Sequence, residues 1–273
     1  MTGRAETAPV VEPVVEVVGL SKAWGGTPAV HCVSFTLGAG ERLALIGPNG
    51  AGKSTCFDML TGQTQPDAGT IRLLGKASAG LSPQQIWRLG VGRTFQVAAT
   101  FTSMTALENV QVALLSHRGL LSAPSSRTLT RKLGEQYAQE ALALLDRVGM
   151  RAQAGRSSGV LAYGDVKRLE LALALAHAPR LLFMDEPTAG MAATERAEIM
   201  TLVRHLCEHD GLSVLFTEHD MDAVFTTATR VLVLDRGRLI ANGPPDVVRA
   251  DRRVQEVYLG SGLFAARSRE STS

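Results

Sequence analysis

Two kinds of hydrophobic pattern alternate along the chain. Arg42–Ile46, Leu181–Asp185, Ser213–Thr217 and Arg230–Leu234 are short, nearly unbroken apolar runs, the pattern of strands buried on both faces of a parallel sheet. Between them, Gly52–Leu60, Asp165–Ala178, Thr194–Glu208 and Met221–Thr227 carry the wider spacing of helices. Near the start, Val14–Leu20 and Val30–Leu37 predict an antiparallel pair joined through a Gly25-Gly26 turn. From about Ala98 to Gly159 only helical patterns appear, as in Thr130–Val148, broken by a polar loop near Gly119–Thr128. The alternation predicts an α/β fold with a mainly parallel sheet. It adds an antiparallel β subdomain on the N-terminal side and an inserted α-helical subdomain at about residues 98–160. Residues 1–12 and 264–273 are rich in small and polar residues and predict disordered tails around one domain, 13–263.

Composition narrows the classes without choosing among them. A chain of 273 residues with 45% hydrophobic and 20% charged residues is an ordinary globular protein able to bury a sizeable core. A net charge of +2 and an aromatic content of 5% give no footprint for nucleic acid. Cys32, Cys56 and Cys207 are odd in number and far apart, which predicts thiols in a reducing compartment. No run approaches the ~20 apolar residues of a membrane span, and the first residues lack the apolar core of a signal peptide. The expectation is a cytoplasmic protein.

The strongest motif is GPNGAGKST, directly after the strand Arg42–Ile46. Gly47, Gly52, Lys53 and Ser54 satisfy the G-x-x-x-x-G-K-[ST] pattern of a nucleotide-binding P-loop, which specifies a P-loop NTPase core. The loop Gly47, Pro48, Asn49, Gly50, Ala51, Gly52 can turn its N–H groups onto phosphate oxygens. The helix carrying Lys53, Ser54 and Thr55 adds its positive end. Lys53 would reach the β- and γ-phosphates of ATP, and the Ser54 hydroxyl would ligate Mg²⁺.

A second apolar strand ends in two acids, LLFMDEP. Successive strand residues face opposite ways, so Asp185 and Glu186 can do different work. Asp185 is placed to hold Mg²⁺, and Glu186 to align or deprotonate the water attacking the γ-phosphate. The second acid favours hydrolysis over transfer to another acceptor. Some twenty residues earlier, LAYGD (Leu161, Ala162, Tyr163, Gly164, Asp165) stands where a loop becomes a helix. Its backbone N–H groups would form a second anion site.

The ordered series of P-loop, Gln96 in RTFQ, LAYGD, LLFMDEP and His219 in TEHD resembles the ABC ATPase family. The resemblance implies that ATP is held between the P-loop of one subunit and the LAYGD signature of a partner ATPase subunit. It implies that Trp24 in KAWGG stacks on adenine, and that Gln96 touches Mg²⁺ and the water and senses the transport subunit. It implies that His219 contacts the γ-phosphate.

Three features resemble the ATP-binding subunits of branched-chain amino-acid importers: GVGRTFQ followed by a Phe101–Met104-Thr105–Glu108-Asn109 pattern, LAYGD itself, and VQEVYLG at Val254–Gly260. The resemblance implies transmembrane permease subunits, a solute-binding protein that delivers the cargo, and a place on the inner face of the cell membrane. Related motors serve urea, short amides or aromatic acids, and an exporter motor or a soluble ABC ATPase are further readings. The chain departs from the common pattern twice. Ala162 stands where many signatures have Ser, and Ala192 stands where a polar residue closes the loop after the acids.

Overall fold

The computed structural model describes residues 12–94, 100–120 and 127–259, with the side chains of residues 127–134 and of Leu259 excluded. Gln96 and, Glu12 apart, both expected tails lie outside the described residues. In chain order the elements begin β1 (Val15–Trp24), β2 (Thr27–Leu37), β3 (Arg42–Ile46), α1 (Lys53–Leu60), β4 (Ala68–Leu73), β5 (Lys76–Ala77), α2 (Pro83–Arg88) and β6 (Val91–Thr94). There follow α3 (Ala106–His117), α4 (Arg127–Arg147), α5 (Tyr163–Leu175), β7 (Leu181–Asp185) and α6 (Ala193–Asp210). The chain closes with β8 (Ser213–Thr217), α7 (Met221–Thr227), β9 (Arg230–Asp235), β10 (Arg238–Gly243), α8 (Pro245–Ala250) and α9 (Arg252–Leu259).

Two sheets result. A four-stranded antiparallel sheet has the order β2-β1-β4-β5, and a six-stranded sheet has the order β10-β9-β3-β8-β7-β6. All neighbours in the second sheet run parallel except β10 against β9. Its central strands are buried on both faces, and alternate residues feed separate cores. Leu43, Leu45, Leu181, Phe183, Leu215, Leu232 and Leu234 pack toward the antiparallel sheet and α1. Ala44, Ile46, Leu182, Met184, Val214, Phe216, Val231 and Val233 pack toward the helical side. Sequestering apolar surface on both faces is what makes these segments read as continuous hydrophobic runs.

The four predicted parallel strands and the N-terminal antiparallel pair are present, with β1 and β2 running up to the Gly25-Gly26 turn. The sequence pattern missed β4, β5, β6 and β10. β4 exposes most of its residues, β10 is largely half-buried, and β6 carries a glycine where bulk is excluded. A Cβ on Gly92 would stand 3.0 Å from Leu182 and 3.2 Å from the Ala174 carbonyl. Strand order brings the C-terminal ends of β3, β8 and β7 side by side, with Leu45 and Asp185 both in register with Thr217. The residues after those strands therefore share one edge of the sheet, the usual position of ligand crevices in open α/β folds.

Candidate active site

The loop after β3 follows from its glycines. A Cβ on Gly47 would lie 2.2 Å from the Leu234 carbonyl oxygen, and one on Gly52 would lie 2.3 Å from that of Ala29. Gly52 also has φ 100°, which a side chain disfavours. Glycine at both positions lets the loop lie against β9 and β2 and then rise into α1. The first intrahelical bond is donated by Cys56 N–H to Gly52 O, 2.9 Å. The N–H groups of Lys53, Ser54 and Thr55 consequently have no acceptor within the helix. Lys53 is buried, and its ammonium donates to the carbonyls of Gly47 (2.7 Å) and Pro48 (3.2 Å). Burial pulls its pKa below the ordinary lysine value, while Glu186 and then Asp185 push it back up. Those two opposing carboxylates place the P-loop lysine opposite the acids at the end of β7.

Asp185 accepts a hydrogen bond from the Thr217 hydroxyl, 2.7 Å, through one carboxylate oxygen. Glu186 turns out of the strand at φ 48°, a left-handed conformation uncommon for a non-glycine residue. It is held there because its N–H reaches both the carbonyl (3.2 Å) and the hydroxyl (3.0 Å) of Thr217. Strain of about 1–3 kcal/mol at such a residue persists only where the surroundings over-determine it. The turn aims Glu186 at His219, whose Nε2 lies 2.7 Å from Glu186 Oε1.

The signature region forms the start of α5. Ala162 occupies the N-cap and supplies no side-chain cap, and the first helical bond runs from Val166 N–H to Ala162 O, 3.0 Å. The N–H groups of Tyr163, Gly164 and Asp165 precede it. Gly164 is buried against α6, where a Cβ would meet Glu195 Oε1 at 3.1 Å. Tyr163 donates its hydroxyl to the Ala189 carbonyl, 3.0 Å, tying the signature to the turn after the acids. That turn ends at Ala192, which caps α6 with no side-chain oxygen. Only the return half of the cap forms, from Ala192 N–H to Glu195 Oε2 at 3.3 Å. Leu161 packs partly buried against the helical core. Trp24, at the tip of the β1–β2 hairpin, is 54% exposed, with the Lys22 ammonium 5.0 Å from its ring centroid. About half of the residue is thus accessible to solvent, with the Lys22 ammonium over the ring.

The structure brings together Lys53, Asp185, Glu186 and His219. It also adds Thr217, which bridges Asp185 and Glu186, and Glu218, which is buried and accepts from Thr188 N–H (2.9 Å) and Oγ1 (2.6 Å). Burial raises the Glu218 pKa, its hydrogen bonds from Thr188 and His219 lower it, and the charge of Glu186 raises it again. The sequence held one signal for these two residues, their adjacency to His219 in TEHD.

A glycine cradle rising from a parallel strand into a helix, faced by a carboxylate at the end of a second strand, defines a P-loop nucleotide triphosphatase. Comparison with known proteins narrows the class. Residues 30–189 match the ABC transporter family, and residues 238–263 match the branched-chain amino acid ATP-binding cassette transporter family. LivG of Salmonella typhimurium, a high-affinity branched-chain amino acid transport ATP-binding protein, is 40% identical over 253 residues, covering 91% of this chain and 98% of its own. BraF of Pseudomonas aeruginosa, described in the same words, is 39% identical over 254 residues with the same coverage. LptB of Escherichia coli, a lipopolysaccharide export system ATP-binding protein, is 34% identical over 241 residues, covering 88% and 95%. Among solved structures, the ADP conformation of an ATP-binding cassette of an ABC transporter superposes with a TM-score of 0.79 at 28% identity, covering 91% of this chain and 99% of that one. The chain belongs to the ABC transporter family of ATP-binding, ATP-hydrolysing subunits.

Proposed function

We propose that this chain powers the import of branched-chain or other hydrophobic amino acids by hydrolysing ATP. The carrying observation is the gathering of Lys53, Asp185, Glu186 and His219 at one edge of the six-stranded sheet. The LivG and BraF likenesses and the C-terminal match at 238–263 supply the cargo class. In this reading Lys53 exchanges the Gly47 and Pro48 carbonyls for phosphate oxygens, and the loop Gly47–Thr55 cradles the phosphates with its N–H groups. Glu186 orients the attacking water and takes its proton, with His219 holding the Glu186 carboxylate and the γ-phosphate in line. Trp24 stacks on adenine, and Leu161–Asp165 of one subunit closes over ATP held by the partner.

The residues suit Mg²⁺, a hard cation that takes oxygen ligands. Ser54 Oγ makes no hydrogen bond among the described residues, and Asp185 gives only one oxygen to Thr217. Ser54, Asp185 and Gln96 would hold the ion, which would supply positive charge to the phosphate oxygens. The working unit pairs this chain with a second ATP-binding subunit, a copy or a paralogue, under transmembrane permease subunits supplied by a solute-binding protein. No described helix is long and apolar enough to cross a membrane, so the permease would hold the chain on the inner face. A cavity of about 830 Å³ between α2, β6, α3 and α5, next to Thr94 and lined by Trp87, Arg93, His117, Leu173 and His177, suits a permease loop. An exporter of lipid-linked cargo is the second reading, favoured by the LptB likeness. The C-terminal match favours import.

Replacing Glu186 with Gln tests the assignment. The variant should bind ATP with wild-type affinity while phosphate release falls by about 10²-fold or more, and cells carrying it should lose leucine uptake. Normal phosphate release would remove Glu186 from the reaction. Lost release with unchanged leucine uptake, but impaired uptake of another solute, would redirect the cargo.

A further inference from the structure

The four residues from the last of β8 to the cap of α7, Thr217–Asp220, form a set. The Thr217 hydroxyl donates to Asp185 and accepts from Glu186 N–H. Glu218 takes both donors of Thr188 on Oε1 and the His219 N–H on Oε2, 3.3 Å. His219 meets Glu186. Asp220 pairs with Arg196 through one carboxylate oxygen and caps α7 by accepting from Ala223 N–H (2.8 Å) through the other. Arg196 in turn donates to the Met191 carbonyl, 3.3 Å. Every side chain of Thr217–Asp220 thus reaches the stretch from Asp185 to Arg196, which contains the turn Thr188–Ala192. The rungs differ in burial. Glu218 and Thr188 are 4% and 3% exposed, so their bonds form in a medium where water offers no replacement.

We infer that Glu218 is a positioning residue for hydrolysis, fixing the turn Thr188–Ala192 and the main chain of His219 to one buried carboxylate. The inference rests on the proposed roles of Glu186 and His219. Its geometry supplies what the chain lacks at Ala192. With no polar side chain there, movement of the turn has a buried route to the reacting pair through Thr188, Glu218 and His219. A second strut runs from Met191 through Arg196 to Asp220. A lone buried carboxylate would be costly, and three donated hydrogen bonds on its two oxygens are the compensation that lets it remain. Loss of either end should displace His219 from Glu186 and leave the phosphate cradle at Lys53 in place.

The test separates kcat from KM. Glu218→Ala should lower kcat for ATP by about 10-fold or more, with KM and directly measured ATP affinity within about twofold of wild type. Thr188→Val, which removes only the hydroxyl, should lower kcat in the same direction. Thr188→Ser, which keeps the hydroxyl, should recover it. The Glu218→Ala/Thr188→Val double variant should lose much less than the product of the two single effects, because both remove the bond from the Thr188 hydroxyl to Glu218. Should Glu218→Ala fail to fold, the Thr188→Val and Thr188→Ser pair decides. Wild-type kcat in Thr188→Val, or in a folded Glu218→Ala, overturns the inference. So does a loss that falls equally on ATP affinity. If Glu186→Gln also keeps its turnover, the proposed function falls first. If Glu186→Gln is inactive and Glu218→Ala is not, only the positioning role is lost.

Discussion

At the scale of single residues, burial decides which groups keep their ordinary chemistry. His177 lies just beyond α5, its ring 4.9 Å from Trp87 and 5.8 Å from His117 by centroids. Burial pulls its pKa down to about 4; a backbone contact with Val91 opposes the shift and the charge of His117 adds to it. In the unfolded chain the same imidazole titrates near 6.5, so between these values the unfolded state binds a proton that the folded state refuses. The stability that depends on a neutral His177 is therefore present above about pH 6.5 and lost as pH falls toward 4. Thermal unfolding across that window should show a steeper decline for the wild type than for His177→Leu, and equal slopes would count against this assignment. The motif residues were legible one by one because spacing carries them. Gly47, Lys53, Asp185 and Glu186 stand in strings whose chemistry requires those residue types. Glu218 and Thr217 were not. Their roles depend on partners about 30 residues away in the chain, at Asp185, Glu186 and Thr188.

At the scale of elements, the strands that a sequence pattern reveals are those buried on two faces. β3, β7, β8 and β9 each divide their side chains between two cores and so read as apolar runs. β4 and β5 sit at or near a sheet edge with exposed residues, and their polarity conceals them. The helical region is likewise organised by a residue that a periodicity cannot flag. Thr105 and Glu108 form a capping box at the start of α3. One turn on, buried Asn109 accepts from Phe101 N–H at 2.8 Å and donates to the carbonyls of Phe101 (3.2 Å) and Thr105 (2.9 Å). Ser158 donates to the same Phe101 carbonyl, 2.8 Å, and Ser157 donates to that of Thr102, 2.8 Å. Asn109 thereby fastens the loop Phe101–Met104 to the turn Ser157–Val160 that leads into the signature. Asn109→Leu keeps the side-chain heavy-atom count but leaves Phe101 N–H without its acceptor, while the Phe101 carbonyl keeps Met104 N–H and Ser158 and the Thr105 carbonyl keeps the main-chain N–H of position 109. It should lower unfolding free energy by about 1–3 kcal/mol, measurable as a shifted denaturation midpoint with an unchanged slope. A midpoint within experimental error of the wild type would show the loop held by the serine contacts alone.

At the scale of the whole molecule, each chain carries two helix starts assigned above to phosphate, with unequal equipment. α1 begins inside a complete cradle with a lysine, a hydroxyl and facing carboxylates. α5 begins with N–H groups that no side chain caps and a half-exposed tyrosine, over whose ring the Lys167 ammonium lies at 5.6 Å while it pairs with Glu170. A second start without catalytic groups is useful if it completes the cradle of another molecule, which is the arrangement proposed above. Mixing inactive variants tests that arrangement. Lys53→Ala spoils the cradle, and Gly164→Asp spoils the signature by setting a second carboxylate against Glu195. A dimer of either variant alone has two defective sites and should not hydrolyse ATP. A mixed dimer gathers both defects into one site, leaving the other with the cradle of one chain and the signature of its partner. Random pairing in an equal mixture makes half the dimers mixed, each with one sound site, so turnover should return to about a quarter of the wild-type rate if sites act independently. A mixture as inactive as its two parts would contradict a site shared between independently acting subunits, because subunits with self-contained sites have nothing to exchange.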